Sequence, residues 1–224
     1  MTDDLTAGRT DGPLTLTSSD GVELEAELRL PPAGAAGEPV GAVVLCHPHP
    51  QQGGAMTSGV IAELFRVLPE RGLASLRFNF RGVGRSGGQH GHGRAEAADV
   101  VAAVDAMAQR CPSRPLVVAG WSFGGDVALS VTDGRIDGWV GIAPPLMVLP
   151  VEELAAAAGA DPRPTLLAVP QHDQIRPPDA ASEAVAGWTA TSVEVVPGAD
   201  HFLAGRAGVL ADMVTAFAAA LRSP

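Results

Sequence analysis

The sequence predicts an α/β fold, a mostly parallel central sheet of about eight strands with helices on both faces. Three observations predict it. The N-terminal stretch alternates apolar and polar residues, short continuously apolar runs follow it, and helical patterns separate those runs. A continuous apolar run suits a strand covered on both faces, and a strand-then-helix rhythm supplies the crossovers that parallel strands need. In such sheets ligands sit at the carboxyl ends of the strands.

Composition narrows the class further. A chain of 224 residues, 46% of them hydrophobic, is long enough for one sizeable core. The expected organisation is a flexible leader over 1–12 and a single domain over 13–224. All 15 basic residues are arginine, against 25 acidic ones, for a formal charge of −10. The absence of lysine removes Schiff-base chemistry and a P-loop lysine. The acidic balance argues against a nucleic-acid partner, whose phosphates require clustered Lys and Arg. The acidic start, Met1-Thr2-Asp3-Asp4, is unlike a secretory signal, and no apolar run reaches membrane-spanning length, so a cytoplasmic protein without a membrane partner is expected. Cys46 and Cys111 read as reduced thiols.

Taken in order, Leu14 to Ser18 and Val22 to Leu30 form a hairpin turning at Asp20-Gly21. Val22, Leu24, Ala26, Leu28 and Leu30 share one face, with Glu23, Glu25, Glu27 and Arg29 on the other. Pro31 to Pro39 is a loop. Ala42 to Cys46 is the first buried strand, and Ile61, Leu64, Phe65 and Leu68 mark a helical stripe that ends near Gly72. Leu73 to Phe80 is a strand closed by a tight turn over Arg81 to Ser86. Ala97, Val100, Val101, Val104 and Met107 give the next helix. The valine-rich run that begins at Leu116 is again a strand, and further strands are expected at Trp139 to Ala143, Thr165 to Val169 and Ser192 to Val196. Helices are expected at Val151 to Ala158, Asp179 to Trp188 and Gly208 to Leu221.

The chemistry gathers at Gly120-Trp121-Ser122-Phe123-Gly124, between a valine-rich strand and a helical pattern. Flanking glycines let the backbone pack closely around the turn, so the Ser122 hydroxyl projects at its apex as a nucleophile. The same pattern recurs at Gly84-Arg85-Ser86-Gly87-Gly88, but a Gly-rich polar loop follows it instead of a helix, which makes Ser86 a loop residue.

A serine hydroxyl needs a base, and the base needs an orienting group. Of six histidines only His172 and His201 follow late strands. His201 suits the base, just past the last strand, and Asp173 suits the acid, past the preceding one. Asp200 competes, but neighbours in an extended loop point apart. An oxyanion also needs donors. Phe123 N–H follows the nucleophile directly. The loop His47-Pro48-His49-Pro50-Gln51 supplies the other donor from His49 or Gln51, since proline has no N–H, and His49 is favoured. No carboxylate or cysteine completes a metal set with the histidine pairs His47/His49 and His90/His92, and neither a metal nor a cofactor is expected.

These residues together resemble the α/β-hydrolase superfamily, most closely its small dienelactone-hydrolase-like branch. The resemblance is carried by His47-Pro48-His49-Pro50 with Gly53-Gly54, by Arg77 to Ser86, by Gly120 to Gly125, and by the order Ser122, Asp173, His201. It covers roughly 14–221. It implies Ser122 as nucleophile, His201 as base, Asp173 as acid and a second oxyanion donor after His47. Pro170 stands where the family usually has glycine before the acid, and serine replaces the cysteine of true dienelactone hydrolases. Too few residues separate the strands at 139–143 and 165–169 for a full cap, so little or no lid is expected, with Trp121, Met147, Leu149 and Phe202 as pocket lining. The expected function is cleavage of a carboxylic ester or thioester, a small-molecule acyl substrate, through an acyl-enzyme in a monomer or homodimer. Acyl transfer, peptide cleavage and a non-catalytic binding module are the alternatives.

Overall fold

The computed structural model describes residues 11–32, 39–112 and 114–221. Residues 1–10 of the expected leader and 33–38 of the expected loop lie outside them. Gly12 belongs to the first strand, and Asp11 Oδ1 accepts the Leu30 N–H at 2.7 Å.

One eight-stranded sheet carries the fold, in the order β1-β2-β4-β3-β5-β6-β7-β8. The strands are β1 Gly12–Thr17, β2 Glu23–Arg29, β3 Gly41–Cys46, β4 Leu73–Phe78, β5 Leu116–Trp121, β6 Gly138–Ile142, β7 Thr165–Pro170 and β8 Thr191–Val196. β1 and β2 pair antiparallel, β2 joins β4 antiparallel, and every later pairing is parallel. The antiparallel edge explains the alternation in the first strands. Leu24, Ala26 and Leu28 of β2 are buried while Glu23 and Arg29 face water.

The helices are α1 Gly59–Val67, α2 Glu96–Arg110, α3 Phe123–Leu129, α4 Val151–Leu154, α5 Pro178–Ala184 and α6 Ala207–Ala220. Strand alternation divides the core between two faces. Val43 and Leu45 of β3 with Val117 and Ala119 of β5 pack with Ile61, Leu64, Leu210 and Val214 of α1 and α6. On the opposite face Val44, Cys46 and Val118 pack with Val100, Val104, Phe123 and Val127 of α2 and α3. Burying one leucine such as Leu64 contributes roughly 1.5–3 kcal/mol.

Three expected elements are shorter than the pattern suggested. β4 stops at Phe78 because the Phe80 N–H donates to the His47 ring at 3.0 Å, not to a neighbouring strand. α5 stops at Ala184, before Gly187. α4 is a single turn, followed by a wider π turn over Ala155–Gly159. That turn closes where Gly159 backs onto the Trp188 ring and accepts the Thr189 N–H at 2.8 Å.

The turn after β4 is held by buried charge. Arg81 is 5% exposed, bonds Asp99 through its guanidinium at 2.7 Å and through its backbone N–H at 2.9 Å, and reaches Asp20 at 2.8 Å. Ser86 is buried in the same turn, donating to Asn79 O at 2.6 Å and accepting the Glu25 N–H at 3.0 Å. Among the described residues no helix is long and apolar enough to cross a membrane.

Candidate active site

The strand at the centre of the sheet, β5, ends where α3 begins, and Ser122 is the single residue between them. Its backbone has φ 54° and ψ −121°, a left-handed conformation rare for a residue with a side chain. The tight approach around it demands glycine on both sides. A Cβ on Gly120 would stand 2.0 Å from Gly124 O, and a Cβ on Gly124 would stand 2.5 Å from both Cys46 O and His47 O. Strand, helix and the end of β3 therefore converge with only hydrogen between them. The Ser122 N–H donates to Ile142 O at 2.9 Å, which fixes the apex against β6.

Two later strands deliver the partners. His201 Nε2 lies 2.9 Å from Ser122 Oγ, and His201 Nδ1 lies 2.8 Å from Asp173 Oδ2. Asp173 is 3% exposed and His201 6%. The other carboxylate oxygen, Asp173 Oδ1, accepts the N–H groups of Ile175 at 2.7 Å and Arg176 at 3.1 Å. An ionised Asp173 holds the proton on Nδ1, leaving Nε2 to accept from the serine hydroxyl. The loop that carries His201 is tied down as well, because Trp121 Nε1 donates to His201 O at 3.1 Å and the His172 N–H to Ala199 O at 2.8 Å. Asp200 turns away and accepts the Phe202 N–H at 3.0 Å.

On the other side of the serine, the loop after β3 is anchored by His47. Its Nε2 accepts the Phe80 N–H at 3.0 Å and its Nδ1 donates to Pro48 O at 2.7 Å, a pattern that only the neutral ring can make. Burial pushes its pKa down to about 4. His49 Nδ1 accepts the Gln51 N–H at 3.2 Å, so that amide is engaged. The backbone N–H groups of His49 and Phe123 donate to no group among the described residues. Their rings lie 5.0 Å apart, and His90 packs against both. Burial first, and then the neighbouring His90, hold the His49 ring below the usual histidine range. Among the described residues no group of three or more His, Cys, Asp and Glu side chains is arranged to hold a metal.

A pocket of about 160 Å³ opens at Ser122, lined by Pro48, His49, Gly53, Gly54, Ser58 and Gln52 with Trp121, His201 and Phe202. Trp121 and Phe202 are thus in the wall, whereas Met147 and Leu149 are not. Leu149 is 4% exposed and belongs to the core beneath α3, against Gly93. Met147 is 66% exposed and projects from a loop whose backbone is held from below.

The group that holds it, Asp126, went unrecognised in the sequence. It lies one helical turn beyond Ser122, fully buried, and accepts the N–H groups of Leu146, Met147 and Val148 at 2.9 Å each. Burial raises its pKa to about 6, against the opposing pull of those three donors. Arg176 adds bonds to Pro145 O at 2.9 Å and Leu146 O at 3.3 Å, joining this loop to the one that carries Asp173. The available signal was an acid inside the apolar segment Phe123–Leu129.

Comparison with known proteins follows the same lines. Residues 37–159 match the family model described as serine aminopeptidase, S33. A serine hydrolase without a lid from Xanthomonas campestris superposes with a TM-score of 0.82 at 26% identity, over 96% of this chain and 97% of that one. An alpha-beta serine hydrolase homologue from Coxiella burnetii gives 0.79 at 27% identity over the same shares. An uncharacterized protein of Rickettsia prowazekii is 29% identical over 192 residues, covering 82% of this chain and 79% of the relative.

Proposed function

Because this chain belongs to the serine aminopeptidase S33 family within the α/β-hydrolase superfamily, we propose that it is a serine hydrolase cleaving a carboxylic ester or thioester through an acyl-enzyme. The observation that carries the reading is the continuous relay from Ser122 Oγ to His201 Nε2 at 2.9 Å and from His201 Nδ1 to Asp173 Oδ2 at 2.8 Å. His201 takes the serine proton as Oγ attacks the carbonyl carbon, and Asp173 stabilises the imidazolium that results. The oxyanion is met by the Phe123 and His49 N–H groups, which flank Ser122 and donate to no other group among the described residues. His201 then returns its proton to the leaving oxygen or sulfur as that bond breaks, which frees the alcohol or thiol. Water, deprotonated by His201, attacks the acyl-Ser122 ester, and His201 returns that proton to Ser122 Oγ as the acyl–oxygen bond breaks and the acid is released.

The family description also brings an aminopeptidase into view. Such an enzyme must hold the ammonium of a peptide N-terminus, yet among the described residues no carboxylate lines the pocket at Ser122. An ester needs no such partner and suits the pocket better.

A fluorophosphonate probe and a panel of p-nitrophenyl esters test this proposal. Ser122→Ala is expected to remove the adduct and to lower turnover by about 10⁴ to 10⁶. Ser86→Ala retains both. Loss of activity in Ser86→Ala with retention in Ser122→Ala would falsify the assignment. Turnover of amino-acid p-nitroanilides in preference to esters would replace it with the peptidase reading.

A further inference from the structure

A second and larger cavity shares Phe202 with the pocket at Ser122. It has a volume of about 550 Å³ and is lined by Gly59, Val60 and Glu63 of α1 and by Phe202, Leu203 and Gly208 among the residues leading into α6. The two linings meet in sequence on both walls. Ser58 lines the small pocket and Gly59 the large one, while Phe202 lines both and follows His201 directly. The groove therefore lies on the His201 side of Ser122, between the start of α1 and the start of α6. At 160 Å³ the small pocket falls below the 300–1,000 Å³ usual for ligand sites, whereas the groove falls inside that range.

Its surface is apolar for the most part and partly bare. Phe202 is 68% exposed, and a Cβ added at Gly59 or Gly208 would meet nothing within 4 Å. Glu63 is the one charged lining residue, and it pairs with Arg66 at 3.1 Å. An uncharged hydrocarbon chain is the ligand chemistry this surface accommodates.

We propose that the groove binds the hydrocarbon part of the leaving alcohol or thiol, so that the substrates are esters or thioesters of a hydrophobic alcohol or thiol. The inference rests on the reading of Ser122 as nucleophile and His201 as base. His201 must protonate the leaving atom, so that atom comes within hydrogen-bond reach of Nε2 when the bond breaks. A chain attached to it departs along the wall that His201 and Phe202 begin. The acyl chain is attached to the carbonyl carbon, whose oxygen points to the Phe123 and His49 amides across the site.

Two series of esters separate these directions. In alkyl acetates from ethyl to octyl the alcohol grows, and in ethyl esters from acetate to octanoate the acid grows. The expected result is that kcat/KM rises about fourfold per methylene in the alkyl acetate series, the gain from burying each CH₂. Gly59→Leu and Gly208→Leu fill the open groove from either wall, and both flatten that rise. Neither glycine has a left-handed φ, so leucine is compatible with the backbone there, and thermal melting checks that each variant folds. A rise confined to the acyl series overturns the assignment to the leaving group. No rise in either series, or a rise that both leucine variants leave intact, overturns the groove. Failure of wild type to take a fluorophosphonate on Ser122 and to hydrolyse any ester overturns the hydrolase reading with it. Labelling together with turnover of ethyl acetate but no dependence on length overturns the groove alone.

Discussion

Ser122 combines two demands that oppose each other. As the proposed nucleophile its side chain must stand clear of the sheet to meet a carbonyl, and the backbone that lifts it has φ 54° with a Cβ attached. Strain of this kind costs of order 1–3 kcal/mol and persists where surrounding contacts over-determine it. Here the Ser122 N–H bond to Ile142 O and the glycine contacts on either side do so. Comparison of two inactive variants isolates the cost. Ser122→Ala keeps the Cβ, whereas Ser122→Gly removes it and with it the steric conflict. Glycine loses roughly 0.5–1 kcal/mol to its greater freedom when unfolded. The expected net result is that Ser122→Gly is more stable than Ser122→Ala by on the order of 1 kcal/mol, read from urea unfolding. Equal stability, or the reverse order, would show that the elbow is relaxed.

At the scale of elements, the site depends on how closely α3 can approach the end of β3. Gly124 has two carbonyl oxygens, Cys46 O and His47 O, where its Cβ would be. Both are backbone atoms, and His47 is itself pinned to Phe80 and Pro48, so the loop cannot yield cheaply. Gly124→Ala is therefore expected to cost roughly 1–3 kcal/mol, the usual range for overpacking. It should also depress ester turnover by spreading the Phe123 and His49 amides apart, with KM for short esters little changed. Unaltered kcat in a destabilised variant would separate packing from the oxyanion site.

The same glycines made the elbow legible in sequence, since their spacing between a valine run and a helical pattern has few other uses. The strands were legible for a similar reason, as each is a short apolar run whose burial the chain cannot avoid. Helix ends were not. The alanine-rich segments after β6 and β7 favour helix throughout, and what stops them is tertiary, Gly159 backing onto the Trp188 ring in one case. Leu149 and Asp126 escaped for a related reason. Whether an apolar side chain lines a pocket or fills the core, and whether an acid faces water or three buried amides, depends on the path of the loop at 143–148. That path includes left-handed φ values at Ala143 and Leu146, which no local residue type announces.

For the molecule as a whole, these buried groups set how stability responds to acid. His47 is held neutral, with its folded pKa at about 4 against 6.5 when exposed. As pH falls below 6.5 the unfolded chain takes up that proton first, so stability is lost until pH reaches about 4. Asp126 acts in the opposite sense, with its folded pKa at about 6 against 3.8. As pH falls through 6 the folded chain takes up its proton first, so stability is gained until about 3.8. Each shift corresponds to about 3 kcal/mol over its window. The windows nearly coincide, so the two contributions offset one another and the wild-type stability changes little between pH 6 and 4 on their account. Single substitutions expose the halves. His47→Asn lowers stability at pH 7 by removing the Phe80 contact, but also removes the His47 loss, so its unfolding free energy rises relative to that of wild type on acidification from pH 6 to 4. Asp126→Asn removes the Asp126 gain, and its unfolding free energy falls relative to that of wild type over the same range. Urea titrations at half-unit steps of pH measure both slopes. Parallel profiles for the two variants would mean that neither group carries the burial cost assigned to it, and that the loops after β3 and β6 are open to water in solution.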